Sequence, residues 1–255
     1  MRIRTTQETL SQRDIENIVL KHEDDVIHKK HLMDYYLGNH RINNKQERSN
    51  GAPNNKLVAN YCEYITNMST GFFLGQPVAY KTSGDNDEAL DVLLGVFSYN
   101  DEQAHNLELA EEASIKGEAY ELLYTDEDAQ IRFASVPAEE IILVCNASLE
   151  EQILYAIRHY RVYSLNGYEY QDYVDVYDKK SVTSYHYNSG SMTQISGPVA
   201  HYFDDVPIVE YPNNKQHKGD FENVISLVDA YNKAQSLTLD DMEDFTDAFL
   251  VLAGM

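Results

Sequence analysis

Two histidines and two aspartates near the N-terminus have the residue types and spacing of a metal site. His28 and His31 are three residues apart in a segment with helical periodicity, and Asp24 and Asp25 precede His28 by about one turn. Imidazole nitrogens and carboxylate oxygens are common zinc ligands. Two lysines lie between the histidines, however, and a metal site also needs ordered groups around its ligands. The pattern therefore favours a solvent-exposed helix face, and we expect no bound metal ion.

The sequence carries no established catalytic motif. It contains no phosphate-binding glycine loop, no GxSxG nucleophile turn and no HExxH zinc-binding pair. The adjacent pairs Glu111-Glu112 and Glu139-Glu140 would direct their side chains apart in a helix or in a strand. They therefore predict solvated faces rather than a general acid and a general base. We expect a protein that is not an enzyme and that needs no cofactor.

A cluster of carboxylates near the C-terminus admits three interpretations. A solvated helix face is the simplest. A divalent-cation site would need further carboxylates from elsewhere, because these side chains cover too wide an arc of a helix. The third is a negative wall along which DNA slides, since a conduit that made phosphate contacts would retain the polyanion. The cluster comprises Asp240, Asp241, Glu243, Asp244 and Asp247.

The charge is distributed unevenly along the chain. The 255 residues include 42 acidic and 20 basic side chains, for a formal net charge of −22. Residues 1–60 hold 10 of the bases and 8 of the acids, so the excess negative charge lies after residue 60. Such a surface argues against a protein that binds nucleic acid through basic patches. The sequence has no secretion signal and no apolar run of about 20 residues, which predicts a soluble protein with reduced, buried thiols at Cys62 and Cys145.

Hydrophobic periodicity predicts an α+β fold in which helices come first and strands second. Apolar spacing indicates helices over residues 8–38, 56–74, 88–97 and 101–117, with a polar loop over 39–55. Short segments rich in Tyr, Val and Ile then alternate with turn residues, which predicts an antiparallel sheet with one half-exposed face. The predicted strands are 78–80, 120–124, 131–136, 140–145, 154–162, 168–177 and 181–187, followed by a linker over 204–220.

One long helix is predicted over residues 221–252, which contain neither Pro nor Gly. Its apolar residues alternate in spacings of four and three, the pattern of a heptad seam, with polar interruptions at Gln235 and Thr238. A helix of this kind needs a partner, either another helix or a neighbouring subunit. The predicted packing seam consists of Val224, Val228, Tyr231, Met242, Phe245, Phe249 and Leu252.

Five collinear segments resemble the portal proteins of tailed double-stranded DNA phages that infect Gram-positive hosts. The first, Tyr35-Tyr-Leu-Gly-Asn-His40, is similar to the opening "YYxGxH" motif of that family. The order and spacing of the five segments carry the resemblance. The others are Pro53–Val58 with Gly71–Pro77, Gly117–Tyr124 with Pro137–Glu140, Val206–Asn214 with Leu227–Lys233 and Ser236, and Glu243–Leu252.

The resemblance implies a head–tail connector subunit, structural and non-catalytic, in a ring of about twelve copies. It implies a wing region over residues 1–218, helical over 1–117 and mainly β over 119–211, and a first stem helix over 219–255. The family's clip, second stem helix and crown are not found in this sequence, so the resemblance implies a C-terminally incomplete chain. It also implies that some of the clustered acids face the DNA tunnel or a neighbouring subunit.

The implied partners are other copies of the chain, the terminase large subunit, a head-completion or adaptor protein, and the major capsid and scaffold proteins. Double-stranded DNA would pass through during packaging and ejection without sequence-specific binding, and no membrane is involved. The implied location is the portal vertex of the virion capsid, and during assembly it is the host cytoplasm. The phage could also be present as a prophage. Two other classes remain open: a generic acidic protein-interaction module and a metal-dependent hydrolase.

Overall fold

The computed structural model describes residues 1–48, 51–84 and 87–246. Within them the chain forms six α-helices and nine β-strands, which confirms the α+β class. The helices are α1 Gln12–Lys21, α2 Glu23–Tyr36, α3 Tyr61–Leu74, α4 Asp87–Tyr99, α5 Glu102–Lys116 and α6 Ile225–Thr246. The strands are β1 Arg2–Thr5, β2 Glu118–Thr125, β3 Ile131–Val136, β4 Ile141–Asn146, β5 Ile153–Tyr163, β6 Tyr170–Tyr177, β7 Ser181–Asn188, β8 Ser191–Ala200 and β9 Ile208–Pro212.

The strands form two sheets. The larger has the order β1-β4-β5-β6-β7-β8, and all its pairs are antiparallel except β1 with β4. The smaller is antiparallel with the order β3-β2-β9. Most of the predicted strands are confirmed, but the prediction of a strand over 78–80 is wrong. The linker predicted over 204–220 is wrong in part, because β9 lies within it and pairs with β2.

The sequence prediction also missed β1 and β8, one at each edge of the large sheet. The hairpin that joins β7 to β8 turns at Ser189 and Gly190, which both have positive φ, at 49° and 89°. Two consecutive residues with positive φ make the tight turn whose twist suits an antiparallel hairpin. The turn residues were recognised in the sequence, but β8 has mostly exposed side chains and so lacks the alternation that marks a half-buried strand.

The large sheet is buried on both faces around β4. Ile142 and Val144 pack against α1 on one face, where they contact Ile15 and Val19. Alternate residues of the same strand, with Leu143 among them, pack against the small sheet on the other face. A strand covered on both sides reads as a continuous apolar run, as Ile141–Cys145 does.

A third cluster joins the helices to the beginning of α6. Leu32 on α2, Cys62 on α3 and Ile115 on α5 pack against Phe221 and Val228. Both cysteines are free and buried, as predicted. The predicted helix 8–38 is divided at His22 into α1 and α2, and the helix predicted from 56 begins at Tyr61.

One member of each predicted solvated acidic pair is instead part of a buried ion cluster. Lys116, with a side chain only 3% exposed, contacts Glu112 at 2.7 Å and Glu139 at 2.6 Å. A charged side chain at such a buried position needs compensation by opposite charges. Glu112 and Glu139 therefore link α5 to the turn before β4, and the prediction that they point to solvent is wrong.

Candidate functional site

The long helix α6 is positioned by a single stripe of buried side chains. Val228, Asn232, Ser236 and Asp240 are each at most 4% exposed and follow one another at intervals of four residues. Residues spaced by four lie on one face of a helix. Three of the four are polar, so this face needs hydrogen-bonding partners rather than an apolar surface.

The partners are backbone N–H groups of the irregular segment that precedes α3. The N–H groups of Asn55, Leu57 and Ala59 donate to Asp240 Oδ1 at 2.7 Å, to Ser236 Oγ at 2.9 Å and to Asn232 Oδ1 at 2.9 Å. Every second residue of an extended segment advances by about 6.6 Å, and every fourth residue of a helix by about 6 Å. The two periods therefore match over two steps, and we call these three bonds the polar ladder.

At the Asn232 end of the polar ladder, a histidine extends the hydrogen-bond network. The side-chain amide of Asn232 lies 2.8 Å from Nδ1 of His40, and Nε2 of His40 lies 2.9 Å from the carbonyl of Tyr35. The ring of His40 stacks on the ring of Tyr35 at a centroid distance of 4.8 Å. This arrangement ties the end of α2 to α6.

The Asp240 end of the polar ladder is part of an ion pair. Nζ of Lys45 donates to Asp240 Oδ2 at 2.5 Å, and Arg48 lies 4.0 Å from the same oxygen. The hydrogen bonds from Lys45 and from the N–H of Asn55 lower the pKa of Asp240 to about 2. Asp240 is thus covered by its own chain, so it holds α6 against the polar loop.

The other described members of the acidic cluster are exposed. Asp244 lies 3.3 Å from Arg48, and Glu243 accepts from the side chain of Asn55 at 2.9 Å. Asp241 is exposed and forms no ion pair with any residue that the structure describes. Asp247 lies outside the described residues. Within the described part of the cluster, the exposed acids are therefore Asp241, Glu243 and Asp244.

The predicted apolar seam does not lie along one covered face. Val224 and Val228 pack in the third cluster, whereas Tyr231, Met242 and Phe245 are 40%, 61% and 82% exposed. A strict seven-residue repeat drifts by about 20° per heptad around a straight helix, so the seam turns away from the face that the core occupies. Phe249 and Leu252 lie outside the described residues.

The exposed part of the seam continues onto α3. The rings of Tyr231 and Tyr61 meet edge to face at a centroid distance of 5.6 Å. We call this surface the α3–α6 face, and it comprises Tyr61, Tyr64, Met68, Phe72, Leu227, Tyr231, Met242 and Phe245, which are between 40% and 94% exposed. Exposed apolar patches are characteristic of interaction surfaces.

The histidines and aspartates that could have formed a metal site are not brought together. His28 lies 3.4 Å from Glu222, and Asp25 lies 2.9 Å from Lys29. His31 contacts the edge of Tyr35. Of the helices that the structure describes, none combines the length and the apolarity needed to cross a membrane.

Sequence reasoning missed Asn232 and Ser236. It treated the polar residues of α6 as interruptions of an apolar seam and the acids as an outward cluster. The available signal was the repetition of polar side chains at intervals of four, Asn232, Ser236 and Asp240, on a helix whose other faces carry Leu, Met and Phe. That signal marks a buried polar face only when the partner segment is known.

Comparisons with known proteins find the same relatives along most of the chain. Residues 15–255 match the family described as "Phage portal protein, SPP1 Gp6-like". The chain is 26% identical over 211 residues to the portal protein of Bacillus phage SPP1, an alignment that covers 78% of this chain and 41% of that protein. It is 24% identical over 229 residues to the portal protein of Clostridium phage phiCD119, covering 83% of this chain and 50% of that protein. The chain therefore spans half or less of the length of these relatives.

Proposed function

Since the chain belongs to the SPP1 Gp6-like family of phage portal proteins, we propose that it is a structural, non-catalytic subunit of a head–tail connector. In this role, copies form a ring at one capsid vertex, and double-stranded DNA passes through the ring during packaging and ejection. The observation that carries the proposal is the family match over residues 15–255. The polar ladder supports it, because a channel component must hold its long helix in one orientation.

The α3–α6 face supports assembly into a ring. It exposes eight large apolar side chains, and a ring of identical subunits covers such a surface through head-to-tail contacts between copies. The remaining proposed partners, which are the terminase large subunit, the head-completion or adaptor protein and the major capsid and scaffold proteins, follow from the proposed portal vertex. Assembly would take place in the host cytoplasm.

The exposed acids suit a channel through which DNA must slide. Asp241, Glu243 and Asp244 are exposed near the end of the described part of α6. Negative side chains within about 10 Å of the duplex repel its phosphates at ordinary salt concentrations. We assign this role, or a role at the subunit interface, to these three residues and to Asp247. Asp240 contributes indirectly by fixing the helix.

The ring is tested by native mass spectrometry together with negative-stain imaging of the purified chain. We expect ring-shaped oligomers whose mass is an integral multiple of the subunit mass. The double substitution Met68→Glu and Phe72→Glu should abolish them, because it places two charges in the α3–α6 face. Leu165→Glu is the matched control, since Leu165 is fully exposed in the β5–β6 turn. A monomer at every concentration, or rings that tolerate the double substitution, would contradict a ring held by this face.

The channel role is tested in the complete portal protein within a packaging assay. Asp241→Lys combined with Asp244→Lys should reduce the amount of DNA packaged or retained, because phosphates would then be attracted to the wall. The matched control is Lys179→Glu, which changes an exposed charge in the β6–β7 turn. Unchanged packaging in the double variant would exclude a tunnel role for these acids.

A further inference from the structure

Three metal-ligating side chains converge where the small sheet meets the connection to α6. Glu118 is the first residue of β2, Glu210 is on β9, and His217 is in the connection between β9 and α6. One ligand atom from each lies within 4.8 Å of the other two. We propose that Glu118, Glu210 and His217 form a binding site for a divalent transition-metal ion, with zinc as the best match to two carboxylates and an imidazole.

Each of the two carboxylates directs one oxygen towards His217, and its other oxygen contacts positively charged groups. Glu118 Oε2 lies 2.8 Å and Glu210 Oε1 lies 3.7 Å from Nδ1 of His217. The oxygens that point away from His217 form ion pairs. Glu118 Oε1 contacts Lys29 and lies 3.3 Å from the N-terminal ammonium, and Glu210 Oε2 lies 3.2 Å from Nε of Arg2. Groups that hold ligands from behind in this way orient them towards a metal ion.

One buried ligand oxygen at this place has no hydrogen-bond partner among the residues that the structure describes. It is Glu210 Oε1, on a side chain that is 7% exposed. Buried polar atoms in native proteins are nearly always satisfied, and a bound ion would satisfy this oxygen.

The backbone brings His217 close to the sheet. Its φ is +51°, and its carbonyl lies so near Gly117 that a Cβ on that glycine would be 2.2 Å away. Residues held in such conformations are concentrated at functional sites. The imidazole remains 33% exposed, which leaves access for an ion and for a water molecule as the fourth ligand.

The ion would link the paired strands β2 and β9 to the connection that leads to α6. Zinc–nitrogen and zinc–oxygen distances are about 2.0–2.2 Å, so the ligand atoms would close in around the ion and Nδ1 of His217 would transfer its proton to solvent or to Nε2. The positive groups that pair with the carboxylates reduce the affinity for a cation, but they do not pair with the two oxygens that face His217. The consequence is a clasp that holds the β9–α6 connection, and with it the start of the long helix, against the small sheet.

The test is isothermal titration calorimetry of the 255-residue chain with zinc chloride in a buffer without chelators. We expect one saturable site per chain. Glu210→Gln and His217→Gln should each weaken binding at least tenfold, because each removes one ligand. His28→Gln is the matched control, since His28 is an exposed histidine next to a glutamate outside the cluster, and its affinity should equal that of the unmodified chain.

A second measurement does not depend on the variants. Cobalt(II) titrated into the unmodified chain should produce visible absorption bands that saturate at one ion per chain and disappear when zinc displaces the cobalt. Thermal melts without metal verify that each variant is folded. Absence of a saturable zinc site, or the same affinity in both ligand variants as in the unmodified chain, would overturn the proposal. The result is independent of ring assembly, because all three ligands belong to one chain.

Discussion

The polar ladder makes a quantitative prediction for the substitution Asn232→Leu. Asn232 is 1% exposed, accepts the N–H of Ala59 and pairs with Nδ1 of His40. Leucine keeps the branching at Cγ but provides no polar atom. The substitution therefore removes two hydrogen bonds and leaves the buried Nδ1 of His40 and the half-buried N–H of Ala59 without these partners.

The expected magnitude follows from these two partners. A net hydrogen bond contributes about 1 kcal/mol, and a buried polar group left without a partner costs about 1–3 kcal/mol. Because part of each cost is recovered when the segment before α3 shifts towards water, we expect a loss of about 2–4 kcal/mol. For a chain of this size that loss corresponds to a decrease in melting temperature of roughly 4–16 °C.

The assay is urea unfolding followed by far-ultraviolet circular dichroism, with thermal melts in parallel. Gln235→Leu is the matched control, since Gln235 is an exposed amide on the same helix, and we expect a change within about 0.5 kcal/mol. If Asn232→Leu changed the free energy of unfolding no more than Gln235→Leu does, α6 would not be held by the ladder. Our account of the helix position would then be refuted.

Three further predictions concern two buried charged residues and Gly117, the glycine that ends α5. Lys116→Ala should cost about 3–5 kcal/mol in chemical unfolding, because it leaves two carboxylates uncompensated, while the exposed control Lys30→Ala should change stability by less than about 0.5 kcal/mol. Gly117→Ala should destabilise more than Gly167→Ala, since both glycines have positive φ but only at Gly117 would a Cβ meet a backbone carbonyl; equal melting temperatures would contradict this. Burial opposes the ionisation of Glu118, but the N-terminal ammonium and a lysine outweigh it and lower its pKa from 4.5 to about 2. The stabilisation by that carboxylate is therefore complete above about pH 4.5 and lost as the pH falls to about 2. Glu118→Gln should consequently make the free energy of unfolding less dependent on pH in that interval. If the free energy of unfolding changed with pH equally in the variant and in the unmodified chain, the assigned role of Glu118 would be contradicted.

Local sequence patterns were sufficient for the elements whose character depends on their own residues. The apolar run Ile141–Cys145 identifies a strand, and the spacing of apolar residues identifies α5 and most of α6. The edge strands β1 and β8 were not predictable in this way, because an edge strand that exposes its side chains is defined by pairing with a neighbour. The end of the predicted helix at His22 was likewise invisible, since α1 turns there to cover the large sheet.

The family assignment also came from the sequence alone. Five short segments in the order and spacing of the portal family identified it, and the match over residues 15–255 confirms that identification. Such segments are informative because they record turns and helix junctions, where few residue types are compatible with the backbone. The wing and stem boundaries, and the roles of the individual acids, remain predictions.

What only the tertiary structure decided is which face of α6 is covered. Helical periodicity determines that Asn232, Ser236 and Asp240 share a face, but it does not say whether that face meets water, an apolar surface or a row of backbone donors. The donors are at residues 55, 57 and 59, more than 170 positions earlier in the sequence. The distance between successive donors along the extended segment is close to the rise of four residues of helix. This match has a structural effect only because the two segments lie side by side in the folded chain. For the same reason Asp240, which the sequence groups with the other acids of the cluster, is a buried anchor, while Asp241, Glu243 and Asp244 are exposed.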